Sequence, residues 1–103
     1  MDTFEIPKVD GRLTQATTHP LRVRFLRLLA DRTSLTAGEA RREIEQGGGE
    51  ATLSEVGYHV RVLECLGAVA VASPATRERG ISFRATDIGE LLMLAIGAAP
   101  RKI

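Results

Sequence analysis

Residues 36–55 carry the same helix-start signal twice: Thr36 with Glu39, then Thr52 with Glu55. In this pattern the Thr side chain accepts from the backbone N–H three residues on, and the Glu reaches back to the N–H of the Thr. Two donors that a helix start leaves free are thereby satisfied. Two helix starts are set in this way, with Gly47-Gly48-Gly49 between them to end the first helix near Gln46. That helix has a narrow apolar side, Ala37, Ala40 and Ile44. The second runs from about Leu53 to Leu66, with Leu53, Val56, Val60 and Leu63 on one face. Gly67 stands where a left-handed cap ends a helix.

The flanking segments supply the rest of a small core. His19-Pro20 opens an earlier helix, capped by Thr18 or His19, with proline at the first position where its missing N–H does no harm. Leu21, Phe25, Leu28 and Leu29 form its buried stripe, and Arg22, Arg24 and Arg27 point elsewhere as a solvated face. After Gly67 the period changes. Ala68 to Val71 and Ile81 to Ala85 read as two strands, joined by a charged turn over 73–80. Thr86 or Asp87 caps a last helix from Ile88 to about Ala98, stopped before Pro100. Residues 1–10 show no periodicity and contain Pro7, so they read as an irregular arm. Residues 11–18 read as a short helix weakened by Gly11 and the Thr17-Thr18 pair. Aromatics make up only 4% of the chain, so the core is aliphatic. The fold class expected is mainly α with a small β-hairpin (α+β), a winged helix-turn-helix.

Several function classes are disfavoured. Cys65 is the single cysteine, which permits neither an intrachain disulfide nor a multi-thiolate metal site. Gly47-Gly48-Gly49 lacks the Lys and Ser/Thr that complete a phosphate-binding loop, and no nucleophile motif or paired catalytic carboxylates appear. The expectation is therefore no catalytic residues, no metal and no cofactor. The longest apolar run, Leu91 to Ile96, is far short of the about 20 residues a bilayer span needs. Residues Met1 to Glu5 lack the positive flank of a signal peptide, so a cytoplasmic location is expected. Net charge is +1, but its distribution is uneven: arginines dominate 11–32 and 73–85, whereas glutamates dominate 36–66.

Two blocks carry a family resemblance: Thr18-His19-Pro20-Leu21-Arg22-Val23-Arg24-Phe25-Leu26 and Val56-Gly57-Tyr58-His59-Val60-Arg61-Val62-Leu63. Leu66-Gly67-Ala68-Val69 and Arg77-Glu78-Arg79-Gly80 followed by Phe83-Arg84 extend it. Together they resemble the signatures of ArsR-like winged-helix bacterial repressors, in an actinobacterial-type branch. The chain departs from that family at Gly57, where a small hydroxyl residue is usual.

The resemblance implies a homodimeric repressor that binds double-stranded DNA at an inverted-repeat operator, and it leaves any effector unspecified. Helix 53–66 and the wing 68–85 would make the contacts. The candidate DNA-binding residues are Thr52, Ser54, Gly57, Tyr58, His59, Arg61, Arg77 and Arg79. Ser54, Tyr58, Arg61 and Cys65 lie opposite the buried stripe, with His59 at its border. The last helix carries one charge, Glu90, between Ile88 and Ala99, and is apolar nearly all round. Such a helix needs a second apolar neighbour. Leu13, Leu91, Met93, Leu94 and Ile96 are therefore expected at a dimer interface. The division expected is an arm with a short dimerisation helix over 1–17, the winged unit over 18–86 and a dimerisation helix over 87–103. The competing expectation is a degenerate winged helix that binds protein, supported by Gly57 and the acidic middle segment.

Overall fold

The structure is a computed structural model and describes residues 6–98, with side chains described from Gly11 onward. Its helices are α1 (Ile6–Thr17), α2 (Pro20–Ala30), α3 (Ala37–Gln46), α4 (Leu53–Cys65) and α5 (Asp87–Ala95). Its strands are β1 (Leu35–Thr36), β2 (Val69–Ser73) and β3 (Ser82–Ala85).

Both capping boxes form. Thr36 Oγ1 accepts from Glu39 N at 3.0 Å while Thr36 N donates to Glu39 Oε1 at 2.9 Å; Thr52 and Glu55 repeat this at 3.0 and 2.9 Å. His19, one of the two residues expected to cap α2, does so: its Nδ1 accepts from Leu21 N at 3.1 Å. Helices α2, α3 and α4 enclose Phe25, Leu26, Leu29, Ala40, Ile44, Val56, Val60 and Leu63, all buried. Leu53 does not join them. It is 55% exposed, because the first residue of a helix has no preceding turn to carry its side chain inward.

α4 ends as expected. Gly67 adopts φ +81°, Ala68 N donates to Leu63 O at 2.9 Å and Gly67 N to Glu64 O at 2.9 Å. This reversal satisfies free carbonyls and turns the chain directly into β2.

The hairpin expected from the sequence is part of a three-stranded antiparallel sheet of order β1-β3-β2. Leu35 pairs with Phe83 and Thr36 with Ser82. A two-residue strand is too short to show alternation, so this edge had no periodic signal. Between β2 and β3 the register shifts at Val71/Ser73, leaving Ala72 as the extra residue of a bulge. The bulge lies at the base of the wing tip.

The ends of the chain depart from expectation. Residues 6–10, read as irregular, are helical. Pro7 falls in the first turn, where backbone N–H groups have no intrahelical partner to lose. Gly11 is carried because α1 is packed: Ala16 is fully buried and Leu13 lies against the core. Residues 1–5 and 99–103 lie outside the described region. α5 stops at Ala95 rather than near Ala98, because Gly97 takes φ +79° and Ala98 N donates to Met93 O at 2.7 Å.

The buried face of α5 is Gly89, Leu92 and Met93, with Ile88 and Ile96 partly buried beside them. Met93, expected to face a partner, is 0% exposed within the single chain, whereas Leu91 and Leu94 are 53% and 57% exposed.

Candidate nucleic-acid interface

α4 presents an outward face because Val56, Val60 and Leu63 fix its inner one. Ser54, Tyr58, Arg61 and Cys65 are all exposed on it, as the helical spacing predicts. Tyr58 is 63% exposed, with its ring edge-on to His59 at 5.0 Å. Thr52 is at the helix start, but its hydroxyl is spent on capping and the Glu55 carboxylate closes the same turn. At Gly57 a Cβ would meet nothing within 4 Å, so packing does not demand glycine there.

Arg61 extends toward the wing. Its Nη1 donates to Glu64 Oε1 at 2.6 Å, and its guanidinium carbon lies 5.6 Å from the Phe83 ring centroid. Ion pairs of this exposed kind are worth about 0–1 kcal/mol, so a phosphate can displace Glu64 at little cost.

His59 is drawn inward instead. Its ring stacks on His19 at 3.9 Å, and its Nδ1 accepts from Arg22 Nε at 3.1 Å. Arg22 also donates through Nη1 to Gln15 O at 2.7 Å, which ties α1, α2 and α4 together at one point. Arg22 is thus a structural link rather than part of a solvated face. Arg27 likewise donates to Ile96 O at 3.0 Å, holding the end of α5.

Burial, chiefly, holds the His59 pKa below its ordinary 6.5, with the neighbouring His19 and Arg22 charges acting in the same direction and Glu55 opposing them. The folded form therefore binds fewer protons than the unfolded chain once the pH drops below that value. Stability is fully present above about pH 6.5 and is lost as pH falls through the folded pKa. Urea midpoints at successive pH values should show this loss, and His59→Gln, which keeps an acceptor for Arg22, should show a shallower one. Parallel pH profiles for the two proteins would remove His59 as the cause.

The wing tip is organised. Thr76 N donates to Arg79 O at 2.7 Å and Arg79 N to Thr76 Oγ1 at 3.1 Å, closing a tight loop. Arg79 Nη2 then reaches Glu39 Oε1 at 3.1 Å, so the wing is tethered to the start of α3. The Thr36 N–H, followed by the Arg79 guanidinium, lowers the Glu39 pKa against an opposing effect of burial. Arg77 is exposed at the same tip.

The acidic middle segment is largely engaged within the fold. Glu39 and Glu55 cap helices, Glu43 pairs with Arg32, Glu45 with Arg41 and Glu64 with Arg61.

Between α4, the start of α3 and the wing lies an open cleft of about 710 Å³. Leu53, Gly57, Ile81 and Phe83 line it, with Arg42, Arg61 and Arg79 among the charged groups. Leu53 and Arg42 were not among the expected contact residues. Leu53 fits the spacing of the core stripe; only its place next to the Thr52 cap could have marked it as exposed. Among the described residues no three His, Cys, Asp or Glu side chains are grouped as a metal site, and no helix is long and apolar enough to cross a membrane.

Helices α2, α3 and α4, a three-stranded sheet with an arginine-bearing wing and an exposed α4 face define a winged helix-turn-helix protein. The chain belongs to the helix-turn-helix domain family, whose model matches residues 17–72, more than half of its length. Membership supports DNA as its partner and transcriptional regulation as its role. Comparison with curated proteins gives no match.

Proposed function

We propose that this protein is an ArsR-like, cytoplasmic homodimeric repressor, acting by binding rather than catalysis, that occupies an inverted-repeat operator. The observation that carries the reading is the exposed outward face of α4, Ser54, Tyr58 and Arg61, together with Arg77 and Arg79 of the wing. A helix of this kind fits the major groove, and wing arginines suit phosphates or the minor groove. Twofold pairing through the exposed Leu91 and Leu94 would present two such faces to two half-sites. Residues 18–86 then form the DNA-binding unit, and α1 and α5 frame the dimer contact, with Leu13 and Ile96 at its half-buried edge.

Arg61→Ala is the direct test, in fluorescence anisotropy with a duplex selected from a random pool. Affinity should fall about tenfold, the worth of one charge-assisted hydrogen bond. If Arg61 meets a phosphate, the salt slope should become shallower by about one. Glu64→Gln should act in the opposite direction by releasing Arg61. Unchanged binding in both variants takes Arg61 out of the interface.

One observation favours a second reading, a winged helix that binds protein: Arg61 and Arg79 are both neutralised within the chain, by Glu64 and Glu39. Phosphate neutralisation releases counterions, so DNA affinity that falls steeply with salt separates the repressor from this alternative.

A further inference from the structure

We infer that Leu53 is a specificity residue, reading the C5-methyl group of a thymine in each half-site, and that the missing side chain of Gly57 makes room for that base edge. The inference rests on the DNA-binding reading above and names what one part of that surface recognises.

Leu53 is the first residue of α4 and is 55% exposed, with an apolar side chain directed away from the core stripe its spacing suggested. The N-terminal residues of a recognition helix are the ones brought to base edges in the major groove. Gly57 follows one turn later on the same side of the helix, and the space its Cβ would occupy is empty to 4 Å. The two residues therefore form an apolar, side-chain-poor strip beside the polar face of Ser54, Tyr58 and Arg61. That strip offers neither a donor nor an acceptor side chain. Among the groups displayed in the major groove, the apolar one is the thymine methyl; the others are hydrogen-bonding atoms that would be desolvated against leucine without a partner.

Charge around the strip suits the same occupant. Arg42, Arg61 and Arg79 line the cleft that Leu53 and Gly57 open into, alongside Glu39 and Glu78, and the pairings of Arg61 with Glu64 and Arg79 with Glu39 are exposed ones that a phosphate can replace. They can take the phosphates on either side of a base whose edge contacts Leu53. The restriction at Gly57 is steric: a branched side chain there would stand beside Leu53 and hold the base edge away.

The test uses the full chain and a duplex selected by it from a random double-stranded pool, with each thymine replaced in turn by deoxyuridine. The replacement removes the methyl and leaves every hydrogen-bonding group in place. Wild-type affinity should fall about fourfold, the worth of one buried methyl, at the one thymine of each half-site that Leu53 meets and stay unchanged at the others. Leu53→Ala should bind the parent duplex more weakly and show no further loss with deoxyuridine at that position; Leu53→Met should retain the sensitivity. Gly57→Val should lose it while remaining folded, since its Cβ meets nothing. Equal wild-type affinity for every deoxyuridine duplex, or undiminished sensitivity in Leu53→Ala, overturns the inference while leaving DNA binding intact. If no duplex is selected at all, the DNA-binding reading itself fails and Leu53 has no base to read.

Discussion

Gly89→Val should destabilise the fold strongly by a collision with backbone. A Cβ at Gly89 would stand 2.0 Å from the carbonyl oxygen of Ala68 and 3.1 Å from its carbonyl carbon. That carbonyl is backbone and already accepts from Thr86 N at 3.1 Å, so it cannot rotate away without breaking the corner between α4 and β2. Thr86 also caps α5, accepting from Gly89 N at 3.0 Å, and its hydroxyl donates to Gly67 O. The whole first turn of α5 is therefore registered against this corner. Valine must push α5 outward, exposing Leu92 and Met93, which are 1% and 0% exposed. A loss of about 3 kcal/mol is expected from such overpacking. Thermal unfolding should drop by roughly 12 °C or more. Gly57→Ala, placed in open space within α4, should instead gain about 0.5–1 kcal/mol from helix propensity alone. Matching urea midpoints for Gly89→Val and the wild type would mean that α5 does not pack on Ala68.

Leu94→Glu should leave the fold standing and remove the dimer. Leu94 is 57% exposed and one turn from Leu91, so a charge there meets water in the single chain and an apolar surface in the proposed pair. Ultracentrifugation at micromolar concentrations should show a dimer for the wild type and a monomer for the variant. Affinity for an operator with two half-sites should fall by roughly a hundredfold or more as the linked second contact is lost, while affinity for one half-site changes little. Met93→Glu provides the contrast: with no exposure in the single chain, it should unfold the protein rather than split a pair. A wild type that is strictly monomeric at these concentrations ends the dimer proposal.

The candidate interface was legible where its position depended on local signals. Thr52 with Glu55 marks the start of α4, and the Val56, Val60 and Leu63 spacing marks its inner face, so Ser54, Tyr58 and Arg61 follow as the outer face. What those outer groups touch was not legible. Spacing places His59 at a border, but its stack is on His19, the cap of α2, and its bond comes from Arg22, 37 residues away in sequence. The Arg79–Glu39 tether spans 40 residues and depends on how the wing folds back onto α3.

The same division runs through the whole chain. Helix starts, the glycine-marked end of α4 and the change of period after Gly67 follow from the sequence, because capping and alternation involve groups within a few residues of one another. Three features were decided by tertiary structure alone. β1 exists because Leu35 and Thr36 meet Phe83 and Ser82 across the fold. α1 extends back to Ile6, and packing of its Ala16 and Leu13 carries Gly11 within it. The rotation of α5 is the third. A helix apolar nearly all round carries no hydrophobic contrast to set its phase, so the close approach of Gly89 to Ala68 selects which leucines are buried and which remain outside.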